Sequence, residues 1–299
     1  MQENRKCTLC PRNCKANRTT TLGYCKSPIN IQIGNYSLHK WEEPPISGNH
    51  GSGTIFFTHC SLNCIYCQNY ELTKNHKGYT VSTTELADIM LLLQKKEAHN
   101  INLVTPTHYV PNIINALTIA KEKGLFIPII YNTSSYENTD TIKLLNNHID
   151  VYLPDLKYYS SELSKKYSNA PNYFDIATKA IEEMYKQVGS PKFNEDGIIT
   201  NGLIVRHLVL PGHIEDSKKI LKYLYDTYKD KIYISIMNQY TPIKNTPYQN
   251  LNRPLTPKEY NEVIDYAYEL GIRNAFVQDG ETNKESFIPV FTNSKQNKP

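Results

Sequence analysis

The chain has 299 residues, of which 39% are hydrophobic, so it can bury the core of one barrel-sized domain with a small appendage. Its net charge of +4 and pI near 8.5 are too mild to indicate nucleic-acid binding. The sequence has no run of 18 or more apolar residues and no apolar N-terminal segment, which predicts a soluble, cytoplasmic protein that does not enter membranes.

The predicted elements fall into three parts. Residues 1–50 form a cysteine-rich metal-binding segment that is too short and too polar to fold on its own core. Residues 51–292 alternate predicted strands and helices, and residues 293–299 form a polar tail. The predicted strands are 54–57, 101–105, 126–132, 151–156, 203–210, 233–237 and 275–278. The predicted helices are 83–97, 111–123, 139–148, 172–188, 214–228 and 257–270.

This alternation indicates parallel strands joined by right-handed helical crossovers. The predicted fold is therefore α/β, a full or partial (β/α) TIM-type barrel with a small cysteine-rich N-terminal extension. In such barrels the functional site lies at the C-terminal ends of the strands.

All seven cysteines lie before residue 68, and this odd, clustered set fits metal binding under reducing conditions better than a disulfide framework. Cys60, Cys64 and Cys67 follow the first predicted barrel strand with the spacing C-x3-C-x2-C. A [4Fe–4S] cluster held only by protein uses four cysteines, so three leave one iron open to a ligand. A zinc site closed by another ligand is the alternative, because C-x2-C spacings also occur in zinc sites.

A second, complete set of four cysteines precedes the barrel with the spacing C-x2-C-x3-C-x10-C. A closed set favours a structural or electron-relay role, and it could hold either a second [4Fe–4S] cluster or a structural zinc ion. Free buried thiols are the alternative. The four residues are Cys7, Cys10, Cys14 and Cys25.

Polar residues also follow several of the predicted strands. At one barrel mouth they could complement a zwitterionic ligand, although each has a structural explanation when taken alone. Asp155 and Lys157, for example, could form a simple surface pair. The candidates are Thr105, Thr107, Asn132, Asp155, Lys157 and Arg206.

The cysteine spacing, with Tyr66 just before the last cysteine, resembles the signature of the radical S-adenosylmethionine (SAM) superfamily. Further motifs at 7–14, 42–48, 51–57, 67–71, 105–108 and 202–212 look like an uncharacterised group within it that is similar to the pyruvate formate-lyase activating enzyme. In that superfamily SAM chelates the open iron, and one electron from the cluster cleaves SAM to a 5′-deoxyadenosyl radical. The resemblance also implies a one-electron donor such as flavodoxin or ferredoxin.

The resemblance assigns the cluster to Cys60, Cys64 and Cys67. It implies that Tyr66 packs near the adenine. The Gly-Gly-Glu element that usually receives the SAM amino group is replaced by Thr105-Pro106-Thr107. Backbone carbonyls and a threonine hydroxyl can still accept hydrogen bonds from an ammonium group. The residues implied in SAM binding are Tyr66, Thr105, Thr107, Asn132, Asp155, Lys157 and Arg206.

These observations lead to an enzyme that abstracts hydrogen from a substrate C–H bond, with a glycyl or other Cα–H of a protein or peptide as the expected target. Modification of a small metabolite or a ribosomal peptide is the second hypothesis, since the same motifs would serve it. A zinc-stabilised nucleic-acid-binding module is the third. The lack of a Lys/Arg stripe interleaved with aromatic residues argues against it.

Overall fold

The computed structural model describes residues 6–278, so the tail predicted at 293–299 lies outside the described residues. The described strands are β1 (Ile31–His39), β2 (Ser52–Phe57), β3 (Tyr79–Val81), β4 (Ile101–Val104), β5 (Ile129–Thr133), β6 (Val151–Pro154), β7 (Lys192–Phe193), β8 (Ile199–Leu208), β9 (Tyr233–Met237) and β10 (Ala275–Val277). The helices are α1 (Pro44–Ser47), α2 (Tyr70–Thr73), α3 (Thr83–Lys95), α4 (Val110–Glu122), α5 (Thr139–Lys143), α6 (Ser161–Ser168), α7 (Tyr173–Val188), α8 (Ile214–Tyr228) and α9 (Pro257–Leu270).

The strands form one curved sheet in the order β10-β9-β8-β6-β5-β4-β2-β1-β3. The run from β10 to β2 is parallel throughout, whereas β1 pairs antiparallel with both β2 and β3. The strand β7 makes a short antiparallel pair with β8. The prediction of an α/β fold with a partial barrel is confirmed, and all seven predicted strands belong to the parallel run.

The longer helices pack outside the sheet because each carries one apolar face. The helix α3 begins at a capping box, in which the Ser82 side chain accepts from the Glu85 amide and Glu85 reaches back to the Ser82 amide. Its buried residues include Leu86, Met90 and Leu93, which recur at helical spacing. Among residues 6–278, no helix is both long enough and apolar enough to cross a membrane.

The segment before the barrel strands contributes to the sheet and to its interior. Ile31 and Ile33 of β1 are buried in the main core. The short helix α1 begins with Pro44 at its first position, where a missing N–H costs nothing. It places Ile46 in a separate buried cluster with Ile130, Val151, Leu153, Ile199 and Ile204. These strand residues alternate with those that face the outer helices, so α1 fills the lower part of the barrel lumen.

Candidate functional site

A cavity of about 290 Å³ lies at the C-terminal ends of the parallel strands. The residues that end the strands line it together with the loops that follow, which is where parallel barrels carry their chemistry. It brings together Cys60, Cys64, Cys67, Tyr66, Thr105, Asn132, Asp155, Lys157 and Arg206.

The three cysteines lie on the loop that follows β2, and helix α6 fixes that loop. The amide of Asn63 donates to the Ser168 carbonyl at 3.3 Å, and the amide of Ile65 donates to the Tyr167 carbonyl at 2.9 Å. Burial raises the pKa of the Cys60 and Cys67 thiols, and Cys64 beside them raises both further. Both thiols therefore stay protonated in the absence of a metal, and metal binding would release their protons.

Arg206 is the centre of a buried charge network in the cavity. Its Nε donates to Asp155 Oδ1 at 2.9 Å and its Nη1 to Glu42 Oε2 at 3.1 Å. Its Nη2 donates to Asn132 Oδ1 at 2.6 Å. Lys157 Nζ donates to the other Asp155 oxygen at 2.7 Å. Burial alone would raise the pKa of Asp155, but Arg206 and Lys157 together outweigh it and hold this pKa below its ordinary value.

Glu42 and Glu43 are cavity residues that sequence reasoning missed. They lie between β1 and α1, and the structure brings them into the lumen beside Arg206. Asn102 Nδ2 donates to Glu42 Oε1 at 3.1 Å. Burial raises the pKa of both glutamates, although Arg206 opposes it. The only signal in the sequence was the Glu-Glu-Pro-Pro run, which carried no role of its own.

The predicted residues after β4 separate in the structure. Thr105 lines the cavity with φ of +61°, a left-handed conformation that β-branched residues rarely adopt. Its amide donates to the Asn132 carbonyl at 2.9 Å. Thr107 lies away from the cavity, where its hydroxyl donates to Glu137 Oε1 at 2.6 Å. His59, which precedes Cys60, is also left-handed, with φ of +66°.

A chain of buried hydroxyl groups links Tyr66 to one cysteine. The Tyr66 and Tyr158 hydroxyls lie 2.6 Å apart, and the Tyr158 hydroxyl lies 2.6 Å from Ser168 Oγ. Ser168 Oγ donates to Cys64 Sγ at 2.9 Å. A hydroxyl that donates to a cysteine sulfur stabilises the thiolate. This series of hydroxyl groups would therefore affect a metal centre bound at Cys64.

The N-terminal cysteines lie near one another and next to the loop that carries Cys60, Cys64 and Cys67. The Cys7 amide donates to the Ala16 carbonyl at 2.9 Å, which folds this segment back on itself. Burial raises the pKa of Cys10 to about 12, and the neighbouring Cys25 and Cys7 add to it. Cys25 and Cys60 line one further cleft.

A single metal ion and an iron–sulfur cluster require different arrangements of their cysteine ligands. Within residues 6–278 no three side chains of His, Cys, Asp or Glu converge as one metal ion requires. A [4Fe–4S] cluster binds each cysteine through a different iron, so its ligands need not converge on one point.

The sequence pattern of the Radical SAM superfamily matches residues 54–224. The chain belongs to the radical SAM superfamily. It is also 29% identical over 277 residues to an uncharacterized protein of Methanocaldococcus jannaschii, an overlap covering 88% of this chain and 74% of that protein.

Two solved radical SAM neighbours share the fold. HydG, described as a maturase of the [FeFe]-hydrogenase, has a TM-score of 0.51 and 13% identity, and the match covers 77% of this chain and 52% of HydG. SuiB of Streptococcus suis, solved with its precursor peptide SuiA, has a TM-score of 0.50 and 16% identity, over 75% of this chain and 47% of SuiB. This radical SAM chain thus spans about half the length of either protein. At these identities the likeness shows the fold alone.

The donor set of this radical SAM protein fits the cofactors of its family, a [4Fe–4S] cluster and SAM. The cavity holds three thiols on one loop, one fewer than a cluster needs, which leaves one iron for another ligand. The same cavity contains carboxylate, amide and ammonium groups that can pair with a zwitterion. Reasoning from the sequence thus located the cysteine loop and most of the cavity's charged groups.

Proposed function

We propose that this protein reductively cleaves SAM at a [4Fe–4S] cluster bound by Cys60, Cys64 and Cys67, and abstracts hydrogen from a substrate C–H bond. The observation that carries the proposal is the three-cysteine loop, which opens into the same cavity as Asp155, Lys157 and Arg206. When bound, the cluster and SAM would supply a 5′-deoxyadenosyl radical. Family membership favours this function over a zinc-stabilised binding module.

The chain's own residues would bind and orient the cofactor. Lys157 lies close enough to Cys60 and Cys67 to lower the pKa of both thiols, so it favours their thiolate forms. Asp155 is held between Lys157 and Arg206, which fixes its carboxylate in one orientation. Tyr66 is fixed by its hydroxyl contact with Tyr158, and its ring would pack against the adenine. Thr105 and Asn132 would complete the SAM site from β4 and β5.

The electron donor is proposed to be flavodoxin or ferredoxin, and the substrate a glycyl or other Cα–H of a protein or peptide. Reductive cleavage of SAM would take one electron from the cluster, and a small redox protein of that kind supplies single electrons. A cavity at the strand ends gives such a substrate access from the barrel mouth.

A second metal centre is proposed at the four N-terminal cysteines, and the division of the chain at residue 50 stays a prediction. Burial and mutual repulsion keep the Cys25 thiol protonated without a metal, since its neighbours include Cys7 and Cys14. Arg12 connects this segment to the loop after β2, because its Nε donates to the Ser61 carbonyl at 2.8 Å. A metal bound by these cysteines would stabilise the segment where it contacts the loop after β2.

The test of the proposed function is spectroscopic. Anaerobically reconstituted protein should show a reduced [4Fe–4S] spin-resonance signal that SAM perturbs, and replacing Cys60, Cys64 and Cys67 by Ala should remove that SAM-sensitive signal. Ser61→Ala is the matched control in the same loop, because the Ser61 hydroxyl has no hydrogen-bond partner within the described structure. A SAM-sensitive signal that persists without the three thiols would contradict the proposal.

A further inference from the structure

Two buried oxygen atoms of the lumen have no hydrogen-bond donor within residues 6–278: Glu43 Oε2 and Asn102 Oδ1. Glu43 is only 8% exposed and Asn102 is fully buried. Glu43 lines the cavity, whereas Asn102 lies behind Glu42, to which it donates. An acceptor oxygen that loses water without gaining a donor carries its full desolvation penalty. The Glu43 oxygen therefore indicates that a donor-bearing group in the cavity completes the site.

The charges of the cavity point the same way. Three carboxylates, those of Glu42, Glu43 and Asp155, face two cations, those of Lys157 and Arg206. Lys157 donates to Asp155, and the Arg206 donors go to Asp155, Glu42 and Asn132. Neither cation donates a hydrogen bond to Glu43, although Arg206 acts on it electrostatically. Three carboxylates against two cations leave an excess of negative charge, and a cationic ligand would balance it.

Glu43 and the cysteines interact electrostatically with different cations. Lys157 acts on Cys60 and Cys67, whereas Arg206 acts on Glu42 and Glu43. Glu43 also lies beside Ser235 of β9. Ile46, three residues after Glu43, packs in the apolar cluster of the lumen.

We propose that Glu43 is a binding residue for an ammonium group of a ligand in this cavity. An ammonium group carries three donors and a positive charge, so it can donate to Glu43 Oε2 and pair with the carboxylate. An apolar group, or an anion that only accepts hydrogen bonds, would leave Glu43 Oε2 without a donor. The inference rests on the proposed function, since SAM itself carries an amino group. The ammonium could come from SAM or from a substrate amine such as a lysine side chain.

The experiment compares reconstituted, unmodified protein with Glu43→Gln, which keeps the side-chain shape and removes the charge. Isothermal titration measures two probes: SAM, and Nα-acetyl-lysine methylamide with its Nε-acetylated analogue as the neutral control. Glu122→Gln is the matched control variant, because Glu122 is exposed on α4. Circular dichroism and cluster absorbance confirm that each variant folds and loads like the unmodified protein.

A tenfold or larger loss of SAM affinity in Glu43→Gln alone supports the proposal with SAM as the source of the ammonium. Loss of lysine-probe binding at unchanged SAM affinity supports it with a substrate as the source. Equal affinities of both proteins for both probes would overturn it. Failure of the proposed function shows elsewhere, in unmodified protein that binds no SAM at all, and the lysine probe still decides the role of Glu43.

Discussion

Replacing Arg206 by Met tests the buried charge network most sharply. The side chain is 14% exposed and bonds to Asp155, which is 13% exposed, and to Glu42, which is 10% exposed. Met matches the aliphatic part of the Arg side chain and carries no charge. The variant therefore leaves these carboxylates, and Glu43 beside them, without their shared cation.

The magnitude follows from burial. Removing one partner of a buried ion pair typically destabilises a protein by about 3–5 kcal/mol, because an uncompensated charge stays inside. Arg273→Met is the control, since Arg273 is exposed and, within residues 6–278, contacts the Tyr268 ring and donates to the carbonyls of Tyr268 and Ile272. A surface change of that kind is expected to cost about 0.5 kcal/mol or less.

The pH dependence of the loss has a definite sign. The pKa of Asp155 is depressed in the folded state, so its stabilising contribution is present above the ordinary value of about 4 and is lost as pH falls through the folded value. Without Arg206 the pKa values of Asp155, Glu42 and Glu43 all rise, because the guanidinium lowers each of them. Protonation then neutralises the orphaned carboxylates. The deficit of the variant should be largest above neutral pH and shrink as the solution is acidified.

Urea unfolding followed by circular dichroism, at mildly alkaline and mildly acidic pH, measures both effects. The two variants are prepared and loaded alike, and their unfolding midpoints are compared with the unmodified protein. Equal midpoints for Arg206→Met and Arg273→Met, or a deficit that grows on acidification, would refute the reasoning.

Three further predictions concern the cluster, the N-terminal segment and β8. Ser168→Ala should shift the midpoint potential of the cluster to more negative values, because the donor to Cys64 Sγ is lost; an unchanged potential in spectroelectrochemical titration would contradict this. Gly202→Ala should destabilise the protein far more than Gly189→Ala in thermal melts. A Cβ added at Gly202 (φ +125°) would lie 2.4 Å from Pro191 Cα, whereas a Cβ added at Gly189 would meet no atom of the described residues within 4 Å. Equal melting shifts would disprove that steric account. The last variant changes the four N-terminal cysteines, Cys7, Cys10, Cys14 and Cys25, to Ser. It should lose metal, and its N-terminal segment should become more sensitive to proteolysis while the barrel persists. A metal content that matches the unmodified protein would exclude a second centre.

The parallel strands were predictable because each is a short apolar run bounded by turn residues. Strand β9 and the helices α8 and α9 have the predicted bounds, whereas α5 ends at Lys143 instead of 148 because the chain continues in turns. Strand β1 was not predicted, since its Ile-Gln-Ile-Gly-Asn run is only partly apolar and its place depends on pairing with β2. Pairing across the chain in this way overrides local preference.

The candidate site likewise contains residues that the sequence predicted and residues that it did not. Cys60, Cys64 and Cys67 are close in sequence, so their spacing alone indicated a shared ligand. Ser168 is 104 residues from Cys64, and no local pattern connects them. Glu42 and Glu43 enter the cavity only because α1 folds into the lumen, a consequence of packing around Ile46.

The most direct test of the central claim is the formation of 5′-deoxyadenosine from SAM. Anaerobically reconstituted protein is incubated with SAM and dithionite, and the product is quantified by liquid chromatography and mass spectrometry. The account predicts that the unmodified protein and Ser61→Ala both form it, and that the variant with Ala at 60, 64 and 67 forms none above the protein-free background. Equal formation by the unmodified protein and the triple variant would contradict the assignment of the cluster to these three cysteines.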